Sequence, residues 1–118
     1  MSNPRKDYKL YLIDILESCK KITSYTKGKA EKQFANDQKT IDAVIRNIEI
    51  IGEAASKIPK KARGKIPQIP WKDVVAMRNK VLHEYFDVNV PIVWETVQKD
   101  IPILQKNTQK ALDDLESN

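Results

Sequence analysis

The sequence predicts an all-α fold, an up-and-down bundle of four to five helices in one domain that spans residues 1–118. A chain of 118 residues can build one core but not two independent ones. Only three glycines are present, and helix-favouring Lys, Glu, Leu, Ile and Ala are common. Apolar residues recur every three and four positions over long segments, which is typical of amphipathic helices.

The first helix is predicted from an apolar stripe that runs from Tyr8 to Ile22, and we expect it to end near Gly28. Cys19 occupies an apolar position of this stripe. It is the single cysteine, and His83 is the single histidine, so neither an internal disulfide nor a structural zinc site is expected.

The second helix is the best-defined element, with a stripe from Ile41 to Ile58. Asn36 or Asp37 can cap its start, and Pro59 stops it. Gly52 lies inside this helix, where glycine costs about 1 kcal/mol relative to alanine. We therefore expect a close helix crossing at Gly52.

The third helix follows a connector, residues 59–70, that contains three prolines and one glycine. This connector has room for one short helical turn around residues 61–65. Pro70 is well placed to open the third helix, which carries an apolar pattern over residues 74–82. We expect this helix to fray after Tyr85.

The last part of the chain predicts one or two more helices. Asn89 or Val90, before a proline, resembles a helix start, and the apolar pattern continues to Asp100. Asp100 can cap a final helix that tolerates Pro102 in its first turn. A kink or a break is expected there.

The chain is basic, with a net charge of +5 and a sequence pI near 9.3. This balance favours an anionic partner. The densest basic stretch has five cations and no acidic residue, and both an RNA phosphate-binding surface and a solvated interhelical loop are plausible for it. Those candidate RNA-binding residues are Lys57, Lys60, Lys61, Arg63 and Lys65.

Two further observations concern location. No stretch approaches eighteen uninterrupted apolar residues, so no membrane span is expected. The N-terminal residues lead into a charged helix without the apolar region of a signal peptide. A cytoplasmic protein without a membrane partner is the resulting prediction.

The only dense polar cluster is residues 78–85, where Arg78 and Asn79 precede His83, and Tyr85 follows it. Arginine offers a planar fork of donors that suits a phosphate, and histidine can exchange a proton near neutral pH. Together they can support metal-independent RNA cleavage by an adjacent 2′-hydroxyl. A structural role for a lone histidine at a helix end is the simpler alternative.

Helical geometry limits how these side chains can meet. At 100° per residue, Arg78 and His83 lie roughly 140° apart around one helix. Asn79 shares a face with His83, whereas Tyr85 shares the neighbouring face with Arg78. A twofold homodimer that packs the helix ends together would bring both faces into one cleft and supply two histidines.

Other candidates have simpler explanations. Glu49 and Glu53 align on the second helix, but no His or Cys completes a metal set near them, so surface or interhelical pairing is favoured. Trp71 and Trp94 could stack on bases. Each lies at a predicted helix start, and packing of the core or of a helix junction is favoured.

The spacing Arg78, four residues, His83, one residue, Tyr85 resembles the Arg-x4-His-x-Tyr signature of the HepT-like toxins of the HEPN superfamily. Residues 46–54, 69–71, 77–86 and 92–97 are also similar to the family pattern. The resemblance implies a ribonuclease that needs no metal or cofactor. It also implies that Arg78 and His83 are catalytic, that Asn79 is the accompanying polar residue, and that the site is composite across a homodimer.

The resemblance implies a partner as well, a minimal nucleotidyltransferase antitoxin of the MntA type in a type VII-like toxin–antitoxin system. In the family this partner can transfer AMP to the motif tyrosine, which is Tyr85 here. The implied substrate is transfer RNA or messenger RNA. Two alternatives stay open: a non-catalytic nucleotide- or partner-binding module, and a DNA-binding or regulatory protein that is supported by charge only.

Overall fold

The computed structural model describes residues 4–82 and 89–117. Within these two ranges the chain is helical and contains no β-strand, as predicted. The helices are α1 (Pro4–Thr26), α2 (Glu31–Ala35), α3 (Gln38–Lys57), α4 (Lys60–Gly64), α5 (Trp71–Leu82), α6 (Val90–Glu95) and α7 (Ile101–Glu116), with a π-helical segment (Thr96–Asp100) between the last two.

The four long helices α1, α3, α5 and α7 form the bundle. The Lys57 ammonium at the end of α3 lies 5.9 Å from the ring centroid of Tyr11 near the start of α1, so these helices are antiparallel. An ion pair of 3.4 Å joins Lys9 near the start of α1 to Glu116 at the end of α7, so this pair is antiparallel too. The predicted up-and-down arrangement is confirmed.

One core runs through the bundle. Its largest fully buried side chains include Leu12, Ile15 and Ile22 from α1, with Ile48 and Ile51 from α3. Cys19 is buried among them, and burial raises the pKa of its thiol to about 12. The thiol therefore stays protonated and packs as a small apolar group.

Several predicted helix boundaries are confirmed. Gly28, with φ +76°, lies two residues beyond the end of α1. Asp37 rather than Asn36 caps α3, because its carboxylate accepts hydrogen bonds from the Thr40 hydroxyl (2.6 Å) and the Thr40 N–H (3.1 Å). These hydrogen bonds hold the pKa of Asp37 below its ordinary value. Asn89 caps α6 by accepting from the Ile92 N–H at 3.1 Å.

The connector before α5 also follows the prediction. α3 ends at Lys57, two residues before Pro59, and α4 supplies the short helical turn. Pro70 precedes α5, and its carbonyl oxygen accepts the N–H of Val74 at 3.0 Å. The predicted end of this helix after Tyr85 lies outside the described residues.

The final helical region differs from the prediction. Asp100 makes no capping hydrogen bond and has helical dihedral angles, so its predicted capping role is wrong. The chain instead stays helical through a π turn in which the Ile101 N–H bonds to the Thr96 carbonyl, five residues earlier. Pro102 cannot donate a hydrogen bond, and the wider π turn next to it keeps the helix going despite this loss.

One element was not predicted. α2 is a single short helix whose Phe34 is fully buried, and the ring centroid of Phe34 lies 5.1 Å from that of Trp94. Trp94 is partly buried in this contact, in agreement with a packing role. No helix in the described parts of the chain is long and apolar enough to cross a membrane.

Candidate functional site

α5 carries the described part of the polar cluster, and Trp71 fixes the start of this helix. The indole of Trp71 is buried, and its Nε1 donates hydrogen bonds to the carbonyl oxygens of Ile66 (3.0 Å) and Arg63 (3.2 Å). Trp71 therefore packs a helix junction, as favoured from the sequence. These contacts set where α5 begins and how it is oriented.

Arg78 lies against α3 at the position of Gly52. A Cβ atom at residue 52 would come within 2.6 Å of the Arg78 Cβ and 2.7 Å of its Cδ. Only glycine leaves room for the arginine stem at this distance. The predicted close crossing at Gly52 is confirmed, and its partner is the arginine of the polar cluster.

The same contact shows the direction of the two helices. Gly52 meets Arg78, while Ser56, one turn further along α3, lines a groove together with Val75, one turn earlier on α5. α3 and α5 are therefore antiparallel. The end of α5 that carries Arg78 points toward the beginning of α3.

The guanidinium of Arg78 has one donor without a partner in the described part of the chain. Its side chain is partly buried, and its Nε is enclosed without a hydrogen-bond partner among the described residues. Burying a donor without an acceptor costs about 1–3 kcal/mol, and more for a charged group. A phosphate oxygen is a suitable acceptor for such a guanidinium, because ionic hydrogen bonds are the strong ones.

The remaining residues of the cluster divide into two groups. Asn79 is exposed on α5 next to Arg78. His83 and Tyr85 lie outside the described residues, so their roles remain predictions. Gly52 also belongs to the site. The sequence predicts a close helix crossing at Gly52, but it contains no signal that the partner is Arg78.

The aligned carboxylates on α3 are consistent with a pairing role. Glu49 forms an ion pair of 3.6 Å with Arg46 on the same helix, and Glu53 is exposed. In residues 4–82 and 89–117, no three His, Cys, Asp or Glu side chains gather in a way that could hold a metal ion.

The predicted RNA-binding cations have different surroundings. Arg63 donates to the carbonyl oxygens of Ala55 (2.8 Å) and Ile58 (3.0 Å), which satisfies the end of α3, and its guanidinium lies 5.9 Å from the Trp71 ring centroid. Lys57 is exposed and lies beside the Tyr11 ring. The other members of the set are exposed as well: Lys60, Lys61 and Lys65.

Two cavities lie on opposite flanks of α5. An open groove of about 620 Å³ lies between α4 and the start of α5, and its lining includes Lys60, Arg63 and Lys72. A second cavity of about 390 Å³ lies between α5 and the start of α7. Its charged lining residues are Asp73, Lys80 and Asp100.

Comparisons with known proteins identify the family of this chain. Residues 15–111 match the family model described as ribonuclease HepT-like. A candidate RNase of Methanocaldococcus jannaschii is 42% identical over 113 residues, which are 96% of this chain and 93% of the relative. A candidate RNase of Caldanaerobacter subterraneus is 41% identical over 112 residues, 95% of this chain and 96% of the relative.

A third relative carries the family name. The protein of Thermococcus cleftensis named "Probable ribonuclease HepT" is 42% identical over 106 residues, 90% of this chain and 96% of the relative. No solved structure matches the chain. The family model covers most of the sequence and the relatives align over nearly all of it, so this chain belongs to the HepT-like ribonuclease family.

Proposed function

We propose that this protein is a metal-independent endoribonuclease, the toxin of a toxin–antitoxin pair, whose catalytic residues are Arg78 and His83. The observation that carries the proposal is the environment of Arg78. Its stem is packed against Gly52, and its Nε is buried without an acceptor among the described residues, so an anion such as a phosphate would supply the acceptor that this guanidinium lacks there. Family membership makes an RNA phosphate the natural anion.

The chemistry needs one cation and two proton-transfer groups. A neutral His83 removes the proton of a ribose 2′-hydroxyl, and the 2′-oxygen forms a bond to the adjacent phosphorus. The bond from phosphorus to the 5′-oxygen breaks, and a protonated His83 gives that oxygen a proton. Arg78 stabilises the negative charge that builds on the phosphorane, and Asn79 adds a polar contact nearby. The products are a 2′,3′-cyclic phosphate and a 5′-hydroxyl.

Two histidines in one cleft require two chains. Because one chain supplies a single histidine, we propose a twofold homodimer in which one His83 acts as base and the other as acid. The sequence favours the same arrangement, because five residues of continuous helix would place Arg78 and His83 about 140° apart. A monomer should therefore cleave RNA poorly.

The test is RNA cleavage by the purified protein in the presence of EDTA. We expect cleavage, and we expect Arg78→Ala or His83→Ala to abolish it while circular dichroism stays unchanged. Arg46→Ala is the matched control, because Arg46 is an exposed arginine whose only described ion pair is with Glu49 on its own helix. Cleavage that requires a metal ion, or that survives both catalytic changes, contradicts the proposal.

We further propose that a nucleotidyltransferase of the MntA type neutralises the toxin by transferring AMP to Tyr85. A nucleotide on this tyrosine would place a bulky anion near the catalytic arginine and compete with the RNA phosphate. Incubation with ATP and such a partner should add the mass of one AMP to the wild-type chain and none to Tyr85→Phe. Tyr85→Phe should keep its RNase activity under those conditions. An unmodified wild-type chain that binds the partner but cleaves no RNA would favour a non-catalytic binding module.

A further inference from the structure

We propose that the groove between α4 and the start of α5 binds single-stranded RNA and leads it to Arg78. This inference rests on the proposed ribonuclease function and extends it, because it specifies how the substrate approaches the site. It also adds a residue, Lys72, that the basic stretch in the sequence does not contain. We call this surface the α4–α5 groove; its wall residues are Lys60 and Lys72.

Charge is the first argument. Lys60 begins α4 and Lys72 belongs to the first turn of α5, so the two exposed ammonium groups belong to different walls of one groove. Among the described residues that line it, there are three cations and no carboxylate. Such a groove attracts a phosphate backbone and releases counterions when RNA binds.

The shape and the apolar floor are the second argument. The groove is open and holds about 620 Å³, and its apolar lining includes Pro67, Val75 and the largely buried Trp71. Proteins that bind single-stranded nucleic acids commonly combine basic walls with apolar or aromatic surface that receives the bases. A ribose or an unstacked base fits the floor while the adjacent phosphates meet the lysines.

Continuity with the candidate site is the third argument. Val75 on the floor is one turn from Arg78, and Lys72 is two turns from Asn79 on the same side of α5. At 1.5 Å per residue, Lys72 and Asn79 are about 10 Å apart along the helix axis. An RNA strand that follows α5 from the groove therefore reaches Arg78 within a few nucleotides.

The groove also separates the roles of its cations. Arg63 lines the groove, but its Nε and one terminal nitrogen already donate to the carbonyl oxygens of Ile58 and Ala55. Arg63 is thus a positioning residue that fixes the groove wall and the Trp71 ring. Lys60 and Lys72 are the groups that bind the phosphates.

The experiment measures RNA affinity with cleavage prevented. The probe is a fluorescent single-stranded 2′-O-methyl oligonucleotide, which lacks the nucleophilic hydroxyl. The double variant Lys60→Glu with Lys72→Glu is compared with the wild-type protein. Both changes place an acidic residue in the first turn of a helix, where it is tolerated well, so folding should be preserved. The matched control reverses two exposed lysines of α1, Lys20→Glu with Lys21→Glu, with the same change in net charge.

We expect the groove variant to bind at least about tenfold more weakly than the control variant. Its slope of log affinity against log salt should be shallower by about 1.4, or 0.7 for each lost phosphate contact. With cleavable RNA, the groove variant should raise KM and leave kcat near that of the wild-type protein. Equal weakening in both variants, or no weakening in either, overturns the inference.

The outcomes distinguish this inference from the proposed function. If the wild-type protein cleaves RNA and the groove variant binds normally, the ribonuclease stands and the groove is not the RNA path. If the wild-type protein cleaves no RNA but its binding depends on Lys60 and Lys72, the groove binds RNA and the proposed catalysis is wrong.

Discussion

α5 meets its two neighbours in the bundle in very different ways. Toward α3 the contact is so close that Gly52 has no space for even one added carbon atom beside Arg78. Toward α7 the helices are separated by a cavity of about 390 Å³, and Ile103 beside it is 59% exposed. One helix is therefore tightly supported on one flank and loosely packed on the other.

The difference in packing coincides with a difference in charge and in proposed function. Arg78 faces the tightly packed flank, and the α4–α5 groove adjoins it with lysines on both walls. The cavity toward α7 is lined by two carboxylates and one ammonium group, those of Asp73, Asp100 and Lys80, so its lining has a net negative charge that disfavours RNA. We infer that the close α3–α5 contact positions the arginine proposed to be catalytic, whereas the α5–α7 contact is loosely packed.

The largest effect is expected for Gly52→Ala, which adds one carbon atom at the close contact between α3 and α5. The new Cβ would overlap the Cβ of Arg78, which is fixed to the backbone and cannot swing away. We expect a loss of about 1–3 kcal/mol in the free energy of unfolding, as for other overpacked cores. RNA cleavage should fall steeply because Arg78 is displaced. Denaturant unfolding and a cleavage assay measure the two effects.

Gly64→Ala is the matched control for this substitution. Gly64 is helical in α4, and an added Cβ there would have no atom within 4 Å. Its stability should stay the same or rise by up to about 1 kcal/mol, because alanine is the better helix former. A Gly52→Ala protein that is as stable as Gly64→Ala and as active as the wild-type protein would show that the close α3–α5 contact does not support Arg78.

A smaller change in the free energy of unfolding, of opposite sign, is expected for Ala76→Leu at the cavity between α5 and α7. Ala76 lines the α5–α7 cavity, two residues and therefore about 200° around α5 from Arg78. The leucine can enter the cavity and bury apolar surface, so the free energy of unfolding should rise by up to about 1 kcal/mol. Cleavage should not change. The control is Ala76→Gln, which introduces a polar side chain of similar length and helix propensity and should not raise the free energy of unfolding. A decrease in that free energy for Ala76→Leu would mean that the cavity cannot accommodate the leucine side chain.

The tight and open flanks could be predicted from the sequence only in part. Helix starts and stops depend on neighbouring residues, so the sequence alone identifies Pro70 as a boundary residue and places the Asp37 and Asn89 caps to within one residue. Gly52 stands out because glycine is costly inside a helix. That its neighbour is Arg78 depends on the register of two antiparallel helices, which is set by the packing of the whole bundle and leaves no local mark in the sequence.

The elements that sequence reasoning missed are also non-local. α2 is too short to show a periodic pattern, and what defines it is the burial of Phe34 against Trp94, far along the chain. Asp100 has the composition of a cap. The π turn beside Pro102 makes the cap unnecessary, because the helix continues through it.

The smallest effect is expected at the start of α3, where Asp37 caps the helix that packs against Arg78. Hydrogen bonds from the Thr40 hydroxyl and N–H, helped by Lys29, hold the pKa of Asp37 below its ordinary value of 3.8. The folded state thus prefers the carboxylate. The stability it contributes is complete above 3.8 and is lost as the pH falls through the lower folded-state pKa.

Asp37→Asn isolates this contribution, because asparagine caps a helix about as well as aspartate but does not titrate. Near neutral pH the wild-type protein should have the higher melting temperature, since its charged cap also pairs with Lys29 at 3.4 Å. As the pH is lowered below 3.8 and through the folded-state pKa of Asp37, the two melting temperatures should converge, whatever the other carboxylates contribute to both proteins. A difference that stays constant with pH would mean that the charge of Asp37 does not stabilise α3, and the support of Arg78 would then depend on the Gly52 contact without help from this cap.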